Sequence, residues 1–203
     1  MKERPILFSA PMVRALLAGT KTQTRRIFKP ERMTWDANGR YTTYAMRGGE
    51  LSITGSGPFK PSSWLHYCPY GQPGDRLWVR ETHGYGGDAY VPDIHFRATD
   101  PDAPVLGRWH PSIHMRRIDS RITLEITEVR VERLQDITIE DAKAEGAWGP
   151  DDSIVDKVAK HFGIDVFSAN PCKAFQMLWE QINGQGSWAE NPWVWVVDFK
   201  GLP

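Results

Sequence analysis

The chain has little of what marks a secreted, metal-binding or membrane protein. It holds only two cysteines, Cys68 and Cys172, too few for a disulfide framework and too few to hold zinc by themselves. The six histidines form no metal-ligand cluster with the two cysteines, so no metal and no cofactor is expected. No apolar run is long enough to cross a bilayer, and no signal peptide is visible. Together with the sparse cysteines, this predicts a reducing, cytoplasmic setting and no membrane partner. Net charge is missing too, with 25 Lys and Arg against 25 Asp and Glu. Tight non-specific binding to long nucleic acid relies on neutralising phosphates, and a balanced chain is poorly equipped for it. Neither internal repeats nor coiled-coil heptads are present.

What is there suffices for a packed domain. Apolar residues make up 40% of the 203 positions, and nine tryptophans is well above ordinary usage. The length suits a single domain over 1–203, with insertions at about 30–70 and 83–117 where Gly, Pro and polar residues displace any periodicity.

Residues 6–8 read as a first strand. Ser9 then offers a helix cap with Pro11 in the first turn, Met12, Val13, Leu16 and Leu17 form one apolar stripe, and Gly19 stops the helix. Asn38-Gly39, between Trp35 and Tyr41, signals a hairpin inside the first insertion. A turn at 71–75 launches a strand over 76–81. Residues 83–93 read as a glycine-rich loop and 94–98 as a further strand. In 121–131, Ile122, Leu124 and Ile126 share one face while Val129 and Val131 take the other parity, which predicts a bulge near Thr127. A capping box at 138–141 starts a short helix ending at Glu145-Gly146. Helices are predicted over 153–162 and after Asn170-Pro171, the latter with Phe175, Leu178, Trp179 and Ile182 at helical spacing. The last strand, 193–199, is apolar at nearly every residue, as a central strand should be. This order predicts a mixed α+β chain.

The densest chemistry lies at Gly19-Thr20-Lys21-Thr22-Gln23-Thr24-Arg25-Arg26, where one ammonium, two guanidiniums and three hydroxyls follow a helix exit. Such donors suit a site that handles an oxyanionic group. In a straight strand Lys21 and Thr24 would point to opposite sides. They can cooperate only if the chain bends between them. A threonine hydroxyl needs a base to take its proton as it attacks, and a lysine is that base only when burial or neighbouring cations depress its pKa. Arg25 and Arg26 are such cations, although Arg25 also fits a solvated surface position. Thr22 is nearer to Lys21 in sequence, so spacing alone leaves the choice between Thr22 and Thr24 open.

The segment resembles the G-x-K-x-x-x-x-R signature of ASCH domains, small barrels related to the PUA family, with Gly19, Lys21 and Arg26 at its three positions. Leu17 through Arg26 also resembles, without a gap, the L-A-G-x-K-T-x-T-x-R segment of bacterial N(4)-acetylcytidine amidohydrolases of about half this length. The resemblance implies a PUA-like small mixed β-barrel with flanking helices and long loop insertions. It implies metal-independent hydrolysis of the acyl amide on the exocyclic nitrogen of cytidine, a modified nucleoside, to give cytidine and a carboxylic acid. Lys21 takes the family lysine's place, Thr24 the nucleophile's and Glu145 the carboxylate's. Residues 121–125 and Gly186-Ser187-Trp188 resemble larger phage and prophage ASCH proteins, which bring no settled activity.

Substrate contacts are expected from Arg26 on a carbonyl or ribose oxygen and from Glu81 on a base edge. Stacking is expected from Trp78, if it lines a barrel mouth rather than the core, and from the loop residues Trp148 and Trp188. His83, His110 and His114 are expected in ordinary polar roles. At least one of the insertions, which carry Tyr41, Tyr44, Tyr85, Tyr90 and Trp109, is expected to cover the Lys21–Thr24 pocket. Two alternatives stand beside the enzyme: an RNA-binding PUA-like module or ribonuclease, and a non-catalytic phage accessory protein. Oligomeric state is not legible.

Overall fold

A computed structural model describes residues 1–28, 33–35, 40–47, 50–58, 65–87, 92–148, 153–165 and 168–203. In chain order the elements are β1 (Glu3–Leu7), α1 (Ala10–Leu17), β2 (Gln23–Ile27), β3 (Met33–Trp35), β4 (Arg40–Arg47), β5 (Glu50–Pro58), β6 (Arg76–Arg80), β7 (His83–Gly87), β8 (Pro92–Phe96), β9 (Thr123–Arg133), α2 (Ile139–Ala144), α3 (Ser153–Phe162), α4 (Pro171–Asn183) and β10 (Trp193–Gly201). The chain is mixed α+β. Its main sheet has five strands in the order β1-β6-β9-β10-β2, with β3-β4-β5 and β7-β8 forming separate antiparallel ladders.

The final strand organises the core. β10 lies between β9 and β2, antiparallel to both. Its apolar run, Trp193–Val197, is explained by burial on both faces. Trp195, Val197 and Phe199 pack with Phe8, Val13 and Leu124, whereas Val194 and Val196 pack with Ala142, Phe175 and Trp179. The predicted bulge lies at Thr127: Glu128 pairs with Asp198 and Ile126 with Phe199, so Thr127 is left between them. The extra residue lets Ile126 and Val129 both reach the interior across a change of parity.

Several local expectations hold. Thr138 and Asp141 form the reciprocal capping box of α2, and the Asn170 side chain caps α4 by accepting from the Lys173 amide. α3 covers the predicted residues. Ser9 occupies the N-cap position of α1, but its hydroxyl makes no capping bond. In the first insertion Trp35 pairs with Tyr41 across the expected hairpin. Its Asn38-Gly39 turn, the side chains of Tyr41 and Tyr44, and Tyr90 lie outside the described residues.

The glycine-rich reading of 83–93 as a loop is corrected. Residues 83–87 form β7 and pair with β8, His83 opposite Phe96 and Gly87 opposite Pro92. Its glycines serve close packing. A Cβ on Gly84 would stand 2.4 Å from Val105 Cγ1, and one on Gly86 would stand 2.5 Å from His95 Nε2. Composition mimics a flexible loop here, while the segment is held tightly from outside.

The five-stranded ladder ends at β1 on one edge and β2 on the other, and no closed barrel is found among the described residues. The two edges nevertheless meet. Arg26 on β2 donates from Nη2 to the carbonyl of Leu7 at the end of β1, at 2.6 Å, and its guanidinium lies 5.3 Å from the Phe8 ring centre. Among the described residues no helix is long and apolar enough to cross a membrane.

Candidate active site

A cleft of about 200 Å³ opens beside the edge strand β2. One wall is the β1–α1 junction, with Leu7, Phe8, Ser9 and Met12. The other is one face of α4, with Phe175, Leu178, Trp179, Ile182 and Asn183. Between them lie Lys21, Thr24, Arg25, Arg26, Ile27 and Glu145. The side-chain stripe on α4 thus splits between packing the core and walling the cleft. Among the described residues β2 is an edge strand of the sheet, and residues of both parities, Thr24 to Ile27, line the same opening.

The bend that Lys21 and Thr24 require is present. Lys21 precedes β2 and makes an isolated antiparallel bridge with Glu145, and the Thr22 amide donates to Ala144 O at 2.8 Å. The end of α2 is thereby strapped to the entry of β2. Gly146 makes the approach close: its φ is +73°, and a Cβ there would lie 3.0 Å from Ala15 Cβ and 3.1 Å from Lys21 Cβ. A side chain would be strained in that left-handed backbone and crowded as well.

Lys21 is only 3% exposed. Its Nζ donates to Gln23 O at 2.7 Å, to Glu145 O at 2.8 Å and to Glu145 Oε2 at 2.9 Å. Burial drives its pKa below the ordinary lysine range; the Glu145 carboxylate opposes this, while Arg26 and Arg25 add to the lowering. Glu145 is equally buried at 3%. Among the described residues its Oε1 has no hydrogen-bond donor, and Arg25 Nη1 lies 3.6 Å away.

Thr24 and Thr22 part company. Thr24 is buried and lines the cleft, whereas Thr22 is exposed and does not. The placement of Arg25 on the surface is corrected: it is 4% exposed. It pairs with Glu132 at 3.3 Å and Asp141 at 3.0 Å and donates to the Gln23 side chain. Arg130 joins Glu132, Asp141 and Asp198 behind it. Burial alone would raise the Asp141 carboxyl, but Gln23, Arg25, the Thr138 amide and Arg130 together hold it below the usual range.

Four of the seven sequence-derived site residues therefore converge on one cleft: Lys21, Thr24, Glu145 and Arg26. The other three are elsewhere. Glu81 is buried in a two-pronged pair with Arg121, at 2.9 and 3.0 Å. Trp78 is 8% exposed beneath Arg80, whose guanidinium is 4.7 Å from the ring. Trp188 packs edge-on against Phe175 at 6.2 Å. Trp148 does not line the cleft, and neither does any described residue of 83–117, so the expected cover from the second insertion is not formed by them. His83 is buried and stacked on His110.

Sequence reasoning missed the network of Gln23, Glu132 and Asp141 and the α4 wall. Glu128, Arg130 and Glu132 alternate along β9 in the manner of a solvated face; Glu128 is exposed, but Glu132 and Arg130 are half-buried, the first paired with Arg25 and the second with Asp141. Among the described residues no group of three His, Cys, Asp or Glu could hold a metal ion. No family model, no curated protein and no solved structure matches the chain.

Proposed function

We propose that this cleft is the centre of a metal-independent amidohydrolase that cleaves the acyl amide of N(4)-acylcytidines, on a PUA-like ASCH scaffold. The observation that carries the reading is the buried Lys21–Glu145 pair in the cleft that Thr24 also lines, with Lys21 and Thr24 drawn from the stretch that resembles the amidohydrolase segment. The tie between the sheet edges through Arg26 and Leu7 supports a sheet curled in the manner of a small barrel.

The chemistry runs on one proton shared by the pair. A desolvated ammonium 2.9 Å from a carboxylate can pass that proton across, leaving an amine and a carboxylic acid. The Lys21 amine takes the Thr24 hydroxyl proton as Oγ1 bonds to the acyl carbon. Glu145 gives its proton to the cytosine amino nitrogen as the carbon–nitrogen bond breaks, and cytidine leaves. Water then attacks the Thr24 ester while its proton returns to Glu145. Lys21 reprotonates Thr24 as the carboxylic acid departs, which restores the starting state. Arg26, already bound to Leu7, contributes positive charge near the developing oxyanion.

The cleft is smaller than the usual 300–1,000 Å³ of ligand sites, which fits an acylated amino-pyrimidine edge with the ribose outside. The RNA-binding alternative draws less support, because Lys21 and Arg25 are buried in ion pairs and are not displayed to phosphates. The reading is tested by incubating the protein with N(4)-acetylcytidine and following its ultraviolet spectrum. Conversion to the cytidine spectrum is expected, and an unchanged spectrum at high enzyme concentration counts against the reading.

A further inference from the structure

Arg25 lies outside the lysine–threonine–glutamate set, at a position the family motif leaves unspecified, yet it is buried in the cleft as fully as Lys21. Its guanidinium is fully buried. From its own strand Gln23 accepts from Nη1. From β9 comes Glu132, from α2 come Asp141 and Glu145, and from α4 the Phe175 ring lies 6.0 Å away. Arg130 and Asp198 complete the charged layer behind it, and the Cys172 thiol feels its field from the start of α4. Arg25 Nε makes no hydrogen bond.

The consequence for Glu145 is geometric. One carboxylate oxygen, Oε2, is bound by Lys21, and the other, Oε1, faces Arg25 Nη1 at 3.6 Å. The carboxylate is thus clamped between two cations from the same short stretch. Arg25 is fixed in turn by anions on two other elements, so its position does not depend on substrate. We propose that Arg25 is the positioning residue that orients the Glu145 carboxylate and sets the pH range over which the Lys21–Glu145 pair keeps its shared proton. This rests on reading the cleft as an acyl-transfer centre.

The sign of its influence follows from charge. Arg25 disfavours the proton on Lys21, so its charge lowers the proton affinity of the coupled pair as a unit. Glu132, paired with Arg25 from the far side, partly neutralises that field. Removing Arg25's charge moves both limbs of the pH–rate profile to higher pH, and removing Glu132's charge moves both to lower pH. A residue that only packs would change rate and leave the limbs in place.

The test compares Arg25→Gln, Arg25→Lys and Glu132→Gln as full-length proteins. The kcat/KM profile on N(4)-acetylcytidine is read alongside the Lys21 Nζ titration by nitrogen-15 NMR. Arg25→Gln is expected to raise both limbs and the Lys21 midpoint by about one pH unit. Glu132→Gln is expected to lower them, and Arg25→Lys to restore the limbs with a reduced kcat. Lost rate with unmoved limbs and an unmoved Lys21 midpoint overturns the proposal. Wild-type protein inactive on the nucleoside counts against the amidohydrolase reading alone, and the Lys21 titration then decides the role of Arg25. If Arg25→Gln does not fold, Glu132→Gln carries the same decision with the opposite sign.

Discussion

Lys21 directs all three of its ammonium protons at fixed acceptors, and two of those acceptors belong to Glu145: the carbonyl at 2.8 Å and Oε2 at 2.9 Å. Glu145 therefore holds Lys21 twice, once through main chain that any residue would supply and once through its carboxylate. The first contact survives mutation of the side chain; the second does not.

That difference gives a stability prediction. Removing one member of a buried ion pair leaves the other uncompensated, at a cost of about 3–5 kcal/mol. Lys21→Met and Glu145→Met should each show a loss of that order in chemical denaturation. The double variant should recover a large part of it. Additive losses in the double-mutant cycle would mean that the two charges do not interact energetically.

Exposure separates the two threonines. Thr24→Ala should abolish turnover of N(4)-acetylcytidine, as should Lys21→Ala, because nucleophile and base act as a unit. Thr22→Ala, at an exposed position off the cleft, should keep most of the activity. A dead Thr22→Ala variant that still folds would assign the nucleophile to the wrong residue.

The glycines of β7 offer a test far from the cleft. Gly84→Ala should destabilise the fold by about 1–3 kcal/mol through its clash with Val105. Adding Val105→Ala should relieve much of that. Gly201→Ala, with nothing within 4 Å, should be near neutral. Equal melting temperatures for Gly84→Ala and Gly201→Ala would contradict the close packing.

Acid stability carries the mark of the charged layer. Asp141 binds its proton more weakly in the folded chain, so its contribution is present above the ordinary aspartate value and is lost as pH falls through its folded value. Asp141→Asn should flatten the acid side of the stability–pH curve and change little of its slope near neutrality. An unchanged acid slope would place the linkage in other carboxylates.

The sequence was readable where a single local rule decides the outcome. The α2 capping box, the Asn170 cap and the Thr127 bulge each follow from spacing within a few residues. The double-sided burial of β10 follows from its apolar run. The convergence of Lys21 and Thr24 was legible only as a condition, a bend at Thr22, because the strap that makes the bend is the distant end of α2. Arg25 was illegible for the same reason: its three carboxylate partners are more than 100 positions away. β7 misled because a glycine placed for close approach has the same composition as one placed for freedom. The stripe on α4 was visible, yet periodicity cannot tell a core wall from a cleft wall.

The α4 wall also makes selectivity testable. Leu178 and Ile182 line the cleft, and Ile182 is exposed at 63%, an apolar rim suited to the acyl chain. Ile182→Ser should weaken kcat/KM for long or aromatic acyl groups more than for acetyl. One methylene in an apolar pocket is worth about 1–3 kcal/mol at most, so changes of roughly tenfold are expected. Equal losses on every acyl group would remove Ile182 from acyl recognition.

As proposed, the Lys21–Thr24–Glu145 cleft hydrolyses an N(4)-acyl amide. The most direct measurement follows N(4)-acetylcytidine by proton NMR with wild-type protein and with Thr24→Ala in parallel. Wild type should release cytidine and acetate in equal amounts over many turnovers, and folded Thr24→Ala should release neither. No release by wild type, or equal release by both proteins, would contradict the account.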